Sequence, residues 1–272
     1  MLVEKHLGAS FLSYIDRFSG IARLYGVDAL EVFRTTKVAV IGIGGVGSWV
    51  AESLVRTGFE NIHLIDMDDI CITNTNRQIH TKQTTIGQLK VEAMAARLKA
   101  INPEVNAVPV MDFLTKDNIA QHLTGFDFVV DAIDSVKVKA ALIAWCKRNK
   151  MPIITTGAAG GQMDPTQITV GDLNKTFNDP LAKKVRSTLR REYNFSRNQK
   201  RNYSVMCVYS TEQLSYPQPD GSVCKQKTFN DGAVKLDCAS GFGAATMVTA
   251  TFGMVAAAKV AERIAKKVNN KK

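Results

Sequence analysis

The sequence KVAVIGIGGVG (residues 37–47) begins as an apolar, β-branched run and ends in a glycine-rich turn. Residues 48–57 follow with apolar side chains at helical spacing, so the stretch predicts a strand, a turn and a helix. Glycines in such a turn let backbone amides approach phosphate oxygens, and the helix dipole favours negative charge there. The pattern therefore predicts a phosphate-binding site. Its nucleotide-binding glycines are Gly42, Gly44, Gly45 and Gly47.

Strand-like and helix-like segments alternate through the first 160 residues. Short apolar runs predict strands at residues 37–42, 61–66, 106–110, 127–133 and 152–156, with another possible at 168–170. Amphipathic spacing predicts helices at residues 48–57, 89–101 and 137–149. This order is typical of a parallel sheet with right-handed crossovers and helices on both faces. The predicted fold class is α/β, with a doubly wound Rossmann-like sheet.

The sequence predicts that the chain has three parts. Residues 1–36 form an N-terminal helical arm, and residues 37–170 form the nucleotide-binding core. Residues 171–272 contain a basic segment and a C-terminal extension, which we expect to complete the sheet and the dimer interface. Residues 171–235 are polar, rich in turn signals and without long periodicity.

Residues 239–258 are twenty residues without a formal charge, which is the nominal length of a membrane span. Fourteen of them are Gly, Ala, Ser or Thr, and such residues partition poorly into lipid but allow helices to approach closely. A buried core or dimer-interface helix is therefore favoured, and membrane association through this stretch is the alternative.

Composition narrows the class of protein further. At 45% hydrophobic residues the chain contains enough apolar material to fold. The five cysteines are odd in number, widely spaced and without a CxxC pair, so neither a disulfide framework nor a tetrahedral zinc site is indicated, and the cytoplasm is the expected compartment. The formal net charge is +10, and a surplus of this size favours an anionic partner.

Much of the positive charge lies in residues 183–201, which hold eight basic residues and one acidic residue. A solvated helix face and a polyanion-binding surface are equally good interpretations of this segment. The eight basic residues are Lys183, Lys184, Arg186, Arg190, Arg191, Arg197, Lys200 and Arg201.

Several polar residues beyond the glycine turn point to the nucleotide. Asp66 ends the second predicted strand, where a carboxylate can hold ribose hydroxyls. Taken by themselves, the glycine turn and Asp66 would favour an NAD-dependent dehydrogenase. Arg77 and Lys90 then add cations that dinucleotide recognition does not need, and Asp131 and Asp134 follow the fourth strand. Arginine and lysine bind phosphate, and such a carboxylate can hold magnesium. The combination indicates triphosphate chemistry.

The motifs GxGGVG, LIDMD, NxNRQ and DAIDS, together with Lys90, resemble the ubiquitin-activating-enzyme-like superfamily of adenylating enzymes. The resemblance implies ATP and Mg²⁺, a homodimer, and ligase-like adenylation of a carboxylate. It implies catalytic roles for Arg77, Lys90 and Asp134, with Asp134 also the metal ligand. It also implies an N-terminal arginine, here Arg17 or Arg23, that reaches into the partner's site. The implied ATP-binding residues outside the glycine turn are Asp66, Asp68, Asn74, Arg77, Gln78, Lys90 and Arg23.

Two features narrow the choice among the branches of that superfamily. It lacks the two zinc-binding CxxC pairs of common sulfur-carrier activators. Residues 160–168, 221–224 and 235–253 (GGQMDPTQI, GSVC and KLDCASGFGAATMVTATFG) closely resemble the tRNA threonylcarbamoyladenosine dehydratase branch. This resemblance implies ATP-dependent cyclisation of N6-threonylcarbamoyladenosine in tRNA, with the basic segment on the tRNA.

The same branch implies two possible partners, a cysteine desulfurase and its sulfur acceptor. Cys207 or Cys238 could then carry a thioester or accept sulfur, although a buried, inert thiol is favoured for each. Two alternative functions stay open: an adenylating activator of a small sulfur-carrier protein, and a non-catalytic nucleotide-binding partner of a cysteine desulfurase.

Overall fold

A computed structural model describes residues 2–218, 220–225 and 242–269 of the chain. The helices are α1 (Leu2–Tyr25), α2 (Val27–Thr35), α3 (Gly47–Arg56), α4 (Lys90–Ile101), α5 (Ile119–Leu123), α6 (Val136–Arg148), α7 (Pro180–Glu192) and α8 (Thr246–Asn269). The strands are β1 (Lys37–Ile41), β2 (Asn61–Ile65), β3 (Asn106–Val110), β4 (Phe128–Asp131), β5 (Ile153–Thr156), β6 (Ile168–Asp172), β7 (Met206–Ser210), β8 (Tyr216–Pro217) and β9 (Val223–Cys224).

The central sheet has seven strands in the order β3-β2-β1-β4-β5-β7-β6. All neighbouring strands are parallel except β6, which runs antiparallel to β7 at one edge. At the carboxyl end of β1, Ile41 pairs with Ile65 on one side and with Asp131 on the other. The strand order reverses at β1, and ligands of doubly wound sheets bind in the crevice at such a reversal. The α/β doubly wound prediction is confirmed.

The side chains of β1 alternate between two apolar layers. Val38 and Val40 pack with α3, α4 and α8 on one face, whereas Ala39 and Ile41 pack with α6 and α7 on the other. A strand buried on both faces is apolar at nearly every position, which explains the uninterrupted apolar run of β1.

The C-terminal extension contributes elements that periodicity did not predict. Residues 171–235 contain α7 and β7, and β7 lies between β5 and β6, so the extension completes the sheet as expected. Helix α7 begins with Pro180, and Asp179 Oδ1 accepts the Ala182 N–H at 2.8 Å, which is a standard N-cap. The three-part division at residues 36 and 170 stays a prediction.

The small-residue stretch forms a helix with one buried face, and the helix begins later than predicted. Residues 239–241 lie outside the described residues, residues 242–245 are not helical, and α8 begins at Thr246 and continues to Asn269. The helix packs within the chain against α3 and α2. A Cβ placed on Gly253 would lie 2.7 Å from Trp49 Cβ and from the Val46 carbonyl oxygen. No helix of the described part of the chain is long and apolar enough to cross a bilayer.

Replacing Gly253 with leucine is expected to lower the free energy of unfolding by about 1 to 3 kcal/mol, because the new side chain must displace α8 from α3. Thermal unfolding of the purified protein measures the effect. Met254→Leu is the matched control, since that neighbouring side chain is 49% exposed. An unchanged Tm for the glycine variant would contradict the close approach of the two helices.

Candidate active site

A cavity of about 1000 Å³ lies at the carboxyl ends of β1, β2 and β4. Such a volume is at the upper end of the range for small-molecule sites. It brings together most of the residues that the sequence predicted for the nucleotide. Those lining the cavity are Gly42, Gly44, Gly45, Asp66, Asp68, Asn74, Arg77, Gln78, Lys90 and Asp134.

The glycine turn is tied to the end of β2 through one carboxylate. The Ile43 N–H donates to Asp66 Oδ2 at 2.6 Å, and the Asp68 N–H donates to Asp66 Oδ1 at 2.9 Å. Burial raises the pKa of the Asp66 carboxyl, although the Lys90 charge and the two amides act against that rise. Gly47 does not line the cavity, and a Cβ there would lie 1.8 Å from the Gly42 carbonyl oxygen. Gly47 therefore allows the turn to close.

His80 holds the same turn from behind, a role that the sequence did not predict. Its Nε2 lies 2.9 Å from the Ile43 carbonyl oxygen, and the side chain is fully buried. Burial lowers the pKa of His80 to about 4, so the ring is neutral and Nε2–H is the donor. The Ile43 peptide is thus fixed at its N–H by Asp66 and at its carbonyl by His80. The only sequence signal was its place two residues after Gln78.

The NxNRQ motif forms one wall of the cavity. Asn74 Oδ1 accepts the Cys71 N–H at 2.9 Å, and Arg77 Nη1 donates to the Thr73 carbonyl at 2.9 Å. Gln78 is 6% exposed, and its Oε1 has no hydrogen-bond partner among the described residues. A buried amide oxygen without a partner is costly in an isolated protein. The side chain of Gln78 therefore fits a ligand that brings a donor into the cavity.

Lys90 is the first residue of α4, and it lines the cavity. Its Nζ lies 2.6 Å from Asp68 Oδ2, and its side chain is 8% exposed, whereas that of Asp68 is 54% exposed. The Asp68 carboxylate therefore holds the Lys90 amine in a place that is largely shielded from water. The arrangement suits an anionic ligand.

The two aspartates of the DAIDS motif have different surroundings. Asp131 is fully buried, and it accepts hydrogen bonds from Lys139 Nζ at 2.8 Å and from the Thr155 hydroxyl at 2.6 Å. Burial raises the pKa of Asp131. Lys139, which the sequence did not indicate, also donates to the Ile133 carbonyl at 2.8 Å and so fixes the turn before Asp134. Asp134 is exposed in the cavity, and it is the carboxylate of the motif that is free to hold a cation.

Residues 242–245, just before α8, close another side of the cavity. The Gly161 N–H donates to the Gly243 carbonyl at 2.8 Å, and Asn76 Nδ2 donates to the Ala244 carbonyl at 2.8 Å. The Thr246 hydroxyl donates to the Asn76 carbonyl at 2.6 Å. This segment therefore connects the loop after β5 to the NxNRQ motif.

The N-terminal arginines do not reach this cavity. Arg23 is exposed on α1 and does not line the cavity of its own chain. Arg17 Nη1 donates to the Ile101 carbonyl at 3.0 Å, at the end of α4. The prediction that Arg23 enters a partner's site stays a prediction.

Six of the eight basic residues of the segment line a second concave region, which has a volume of about 880 Å³. We call this region the basic surface. Arg190 Nε donates to the Tyr203 hydroxyl at 2.9 Å, and Arg186 donates to the Thr176 hydroxyl, so these two arginines also brace the fold. Lys184 lines the nucleotide cavity instead, and Arg201 lines neither surface. The basic side chains of this surface are Lys175, Lys183, Arg186, Arg190, Arg191, Arg197 and Lys200.

The cysteines of the described residues differ in burial. Cys207 is fully buried, and burial raises the pKa of its thiol well above the ordinary value. Cys238 lies outside the described residues. Cys71 is exposed at the cavity, where a hydrogen bond from the Thr73 hydroxyl lowers the pKa of its thiol. The described residues contain no group of three or more His, Cys, Asp or Glu side chains that could hold a metal ion.

Known proteins are similar to this chain in sequence and in architecture. The chain is 58% identical over 241 residues to tRNA threonylcarbamoyladenosine dehydratase of Escherichia coli (strain K12), which covers 88% of this chain and 90% of that protein. The structure of the E. coli dehydratase in complex with ATP superposes with a TM-score of 0.85 at 49% identity, covering 96% of this chain and 98% of that one.

A more distant relative is an adenylyltransferase that matches about half of this chain. Molybdopterin-synthase adenylyltransferase of E. coli (strain K12) is 31% identical over 152 residues, covering 56% of this chain and 61% of that protein. The family model described as ThiF family matches residues 18–272, which is nearly the whole chain. This match over nearly the whole chain shows that the chain belongs to the ThiF family.

Proposed function

We propose that the chain catalyses the ATP-dependent dehydration of N6-threonylcarbamoyladenosine in tRNA, through adenylation of its carboxylate. The observation that carries the proposal is the 58% identity to the E. coli dehydratase over 88% of the chain. The cavity supports it, because the glycine turn, Arg77, Lys90 and the exposed Asp134 carboxylate converge there.

The chemistry starts from a carboxylate, which is a poor electrophile because its charge is delocalised. Attack of a carboxylate oxygen on the α-phosphorus of ATP forms an acyl adenylate and releases pyrophosphate. The ureido group on the same base then attacks the activated carbonyl, loses a proton and expels AMP, which carries away the carboxylate oxygen. Ring closure within one molecule is favoured because oriented groups reach effective molarities of about 10⁵ M or more.

The residues that line the cavity suit these steps. We assign the phosphates to the glycine turn, Arg77 and Lys90, and the ribose to Asp66. Asp68, Asn74 and Gln78 support the site, since Asp68 holds Lys90 and Asn74 fixes the backbone at Cys71. Cations placed before the reaction stabilise the charge that develops on pyrophosphate.

Mg²⁺ is part of the proposal, with Asp134 as its protein ligand. Mg²⁺ is commonly bound by one or two carboxylates together with substrate phosphates, so the exposed Asp134 carboxylate beside a triphosphate site fits it. Asp131 does not fit, because Lys139 and Thr155 occupy its oxygens. When bound, the ion would neutralise phosphate charge.

The mass of nucleosides from tRNA incubated with the protein and ATP tests the proposed function. We expect threonylcarbamoyladenosine to lose the mass of one water, with AMP and pyrophosphate formed in equal amounts. A reaction without ATP is the control. An unchanged nucleoside mass, together with adenylate formation on a sulfur-carrier protein, would favour the activator function that the molybdopterin-synthase relative suggests. No turnover on either substrate would favour a non-catalytic partner of a cysteine desulfurase.

ATP is expected to bind more tightly than NAD, because Arg77 and Lys90 add two cations to the site of a dinucleotide fingerprint. Isothermal titration calorimetry of the purified protein with each nucleotide measures the difference. Tighter binding of NAD would remove the basis of the adenylation chemistry.

Three further features of the proposal rest on the resemblance. We propose a homodimer in which exposed Arg23 enters the partner's cavity. A cysteine desulfurase and its sulfur acceptor are proposed partners, and neither requires Cys207, which is buried. The cytoplasm is the proposed compartment, because tRNA and ATP occur together there.

The basic surface is proposed to bind the tRNA backbone. Reversing exposed Arg197 and Lys200 to glutamate should weaken tRNA binding, and it should lower the salt slope by about one for each phosphate that is no longer bound. Filter binding over a salt series measures both, and ATP affinity should not change. The control reverses exposed Lys82 and Lys99, which makes the same change in net charge away from this surface. Equal tRNA affinity of wild type and the Arg197/Lys200 variant at low salt would indicate a solvated face.

A further inference from the structure

Helix α7 separates the nucleotide cavity from the basic surface. Pro180, Leu181 and Lys184 line the cavity, whereas Lys183 and Arg186 line the basic surface. Adjacent residues of a helix point about 100° apart, so consecutive lysines can serve two different surfaces. A tRNA backbone on the basic surface would therefore need only to pass α7 to deliver a nucleoside to the cavity.

Three cations line the cavity among the described residues, and Lys184 differs from the other two. Lys90 is paired with Asp68, and Arg77 donates to the Thr73 carbonyl and to Asn76 Oδ1. The Lys184 amine has no hydrogen bond or ion pair within the described part of the chain, and the residue is exposed. It is thus free to bind a ligand.

Lys184 also enters from the other side of the sheet. Helix α4, which carries Lys90, packs in one apolar layer, whereas α7 packs in the layer on the opposite face. Two sets of positive charge therefore flank the ends of the strands. On the same helix, the apolar residues Pro180 and Leu181 also line the cavity. This corner combines one free cation with aliphatic surface.

The proposed function, on which this inference rests, requires two anions in the cavity at once: the triphosphate and the substrate carboxylate. The attacking and leaving oxygens lie roughly in line across the phosphorus, so the carboxylate approaches from the side away from pyrophosphate. If Arg77 and Lys90 hold the phosphates, the cation on the opposite side is left for the carboxylate. We infer that Lys184 binds the carboxylate of the threonylcarbamoyl group, and that it thereby selects the modified nucleoside over unmodified adenosine.

The test compares binding of two tRNAs, with and without the threonylcarbamoyl group, to three proteins in the absence of ATP. Wild type should prefer the modified tRNA. Lys184→Met should lose about ten-fold of that preference, the value of one charge-assisted hydrogen bond, and Lys184→Arg should retain part of it. Lys183→Met is the matched control, since it lies on the basic surface. It should weaken binding of both tRNAs equally and leave the preference intact.

ATP affinity by calorimetry shows whether the Lys184→Met cavity is intact, and we expect it to equal that of wild type. An unchanged preference in Lys184→Met would overturn the inference, as would a loss of ATP affinity equal to the loss of preference. The nucleoside mass is measured separately on wild type. Absence of dehydration there contradicts the proposed function, whereas normal dehydration with no preference for modified tRNA contradicts only the role of Lys184.

Discussion

Replacing Lys90 with alanine is expected to lower the dehydration rate on the order of 10²-fold or more, because removing one preorganised charge from a phosphoryl transition state has effects of that size. The Lys90 side chain is only 8% exposed, so little water would take the place of the lost cation. Pyrophosphate release under single-turnover conditions measures the chemical step. Arg77→Ala and Asp134→Ala should behave in the same way, since all three side chains line one cavity.

The fold should survive the loss of Lys90. Its partner Asp68 is 54% exposed and can be solvated, so no buried charge is left without a partner. Lys99→Ala is the matched control, because Lys99 is an exposed lysine in the last turn of the same helix, α4. Wild-type turnover by a folded Lys90→Ala protein would remove Lys90 from the proposed reaction.

The sequence predicts most of the nucleotide-binding half because its signals are local. A buried strand, a glycine turn and an amphipathic helix each occupy a few consecutive residues, and β1, β2 and α4 begin within one residue of their predicted starts. The carboxyl ends of parallel strands meet at one edge of the sheet, so residues that follow different strands, such as Asp66 and Asp134, come together in one cavity.

The sequence fails where a role depends on distant contacts. Helix α7 has apolar residues at 181, 185 and 189, but its many cations hide this spacing, and only packing against α6 reveals the buried face. His80 holds a carbonyl 37 positions earlier in the chain, which no local pattern encodes. Lys183 and Lys184 are identical neighbours in the sequence, and only the structure shows that they line different surfaces.

Replacing Lys139 with methionine is expected to lower the free energy of unfolding by about 3 to 5 kcal/mol, which is the usual cost of removing one partner of a buried ion pair. The side chains of Lys139 and Asp131 are 2% and 0% exposed, so the carboxylate left behind has no access to solvent. Urea unfolding measures the loss. Lys137→Met is the matched control, since that lysine is exposed in the same helix, α6.

The double variant Lys139→Met, Asp131→Asn separates the cost of the unpaired charge from the cost of poorer packing. Asparagine carries no charge and can still accept the Thr155 hydroxyl, so the double variant should recover much of the stability lost by Lys139→Met. A double variant as unstable as the single one would mean that the buried charge is not the cause.

The pH dependence of the stability independently tests whether Asp131 is the group left unpaired in Lys139→Met. Burial raises the folded pKa of Asp131 above its ordinary value of 3.8, and removal of the Lys139 charge must raise it further. A group whose folded pKa is raised binds its proton more tightly in the native state, so its stability contribution is lost as pH rises through that pKa. The deficit of Lys139→Met relative to wild type should therefore be smaller at about pH 5 than at about pH 8. In the double variant, which has no carboxyl at this position, the deficit should not grow as pH rises. An equal deficit of Lys139→Met at both pH values would mean that Asp131 is not the group left unpaired.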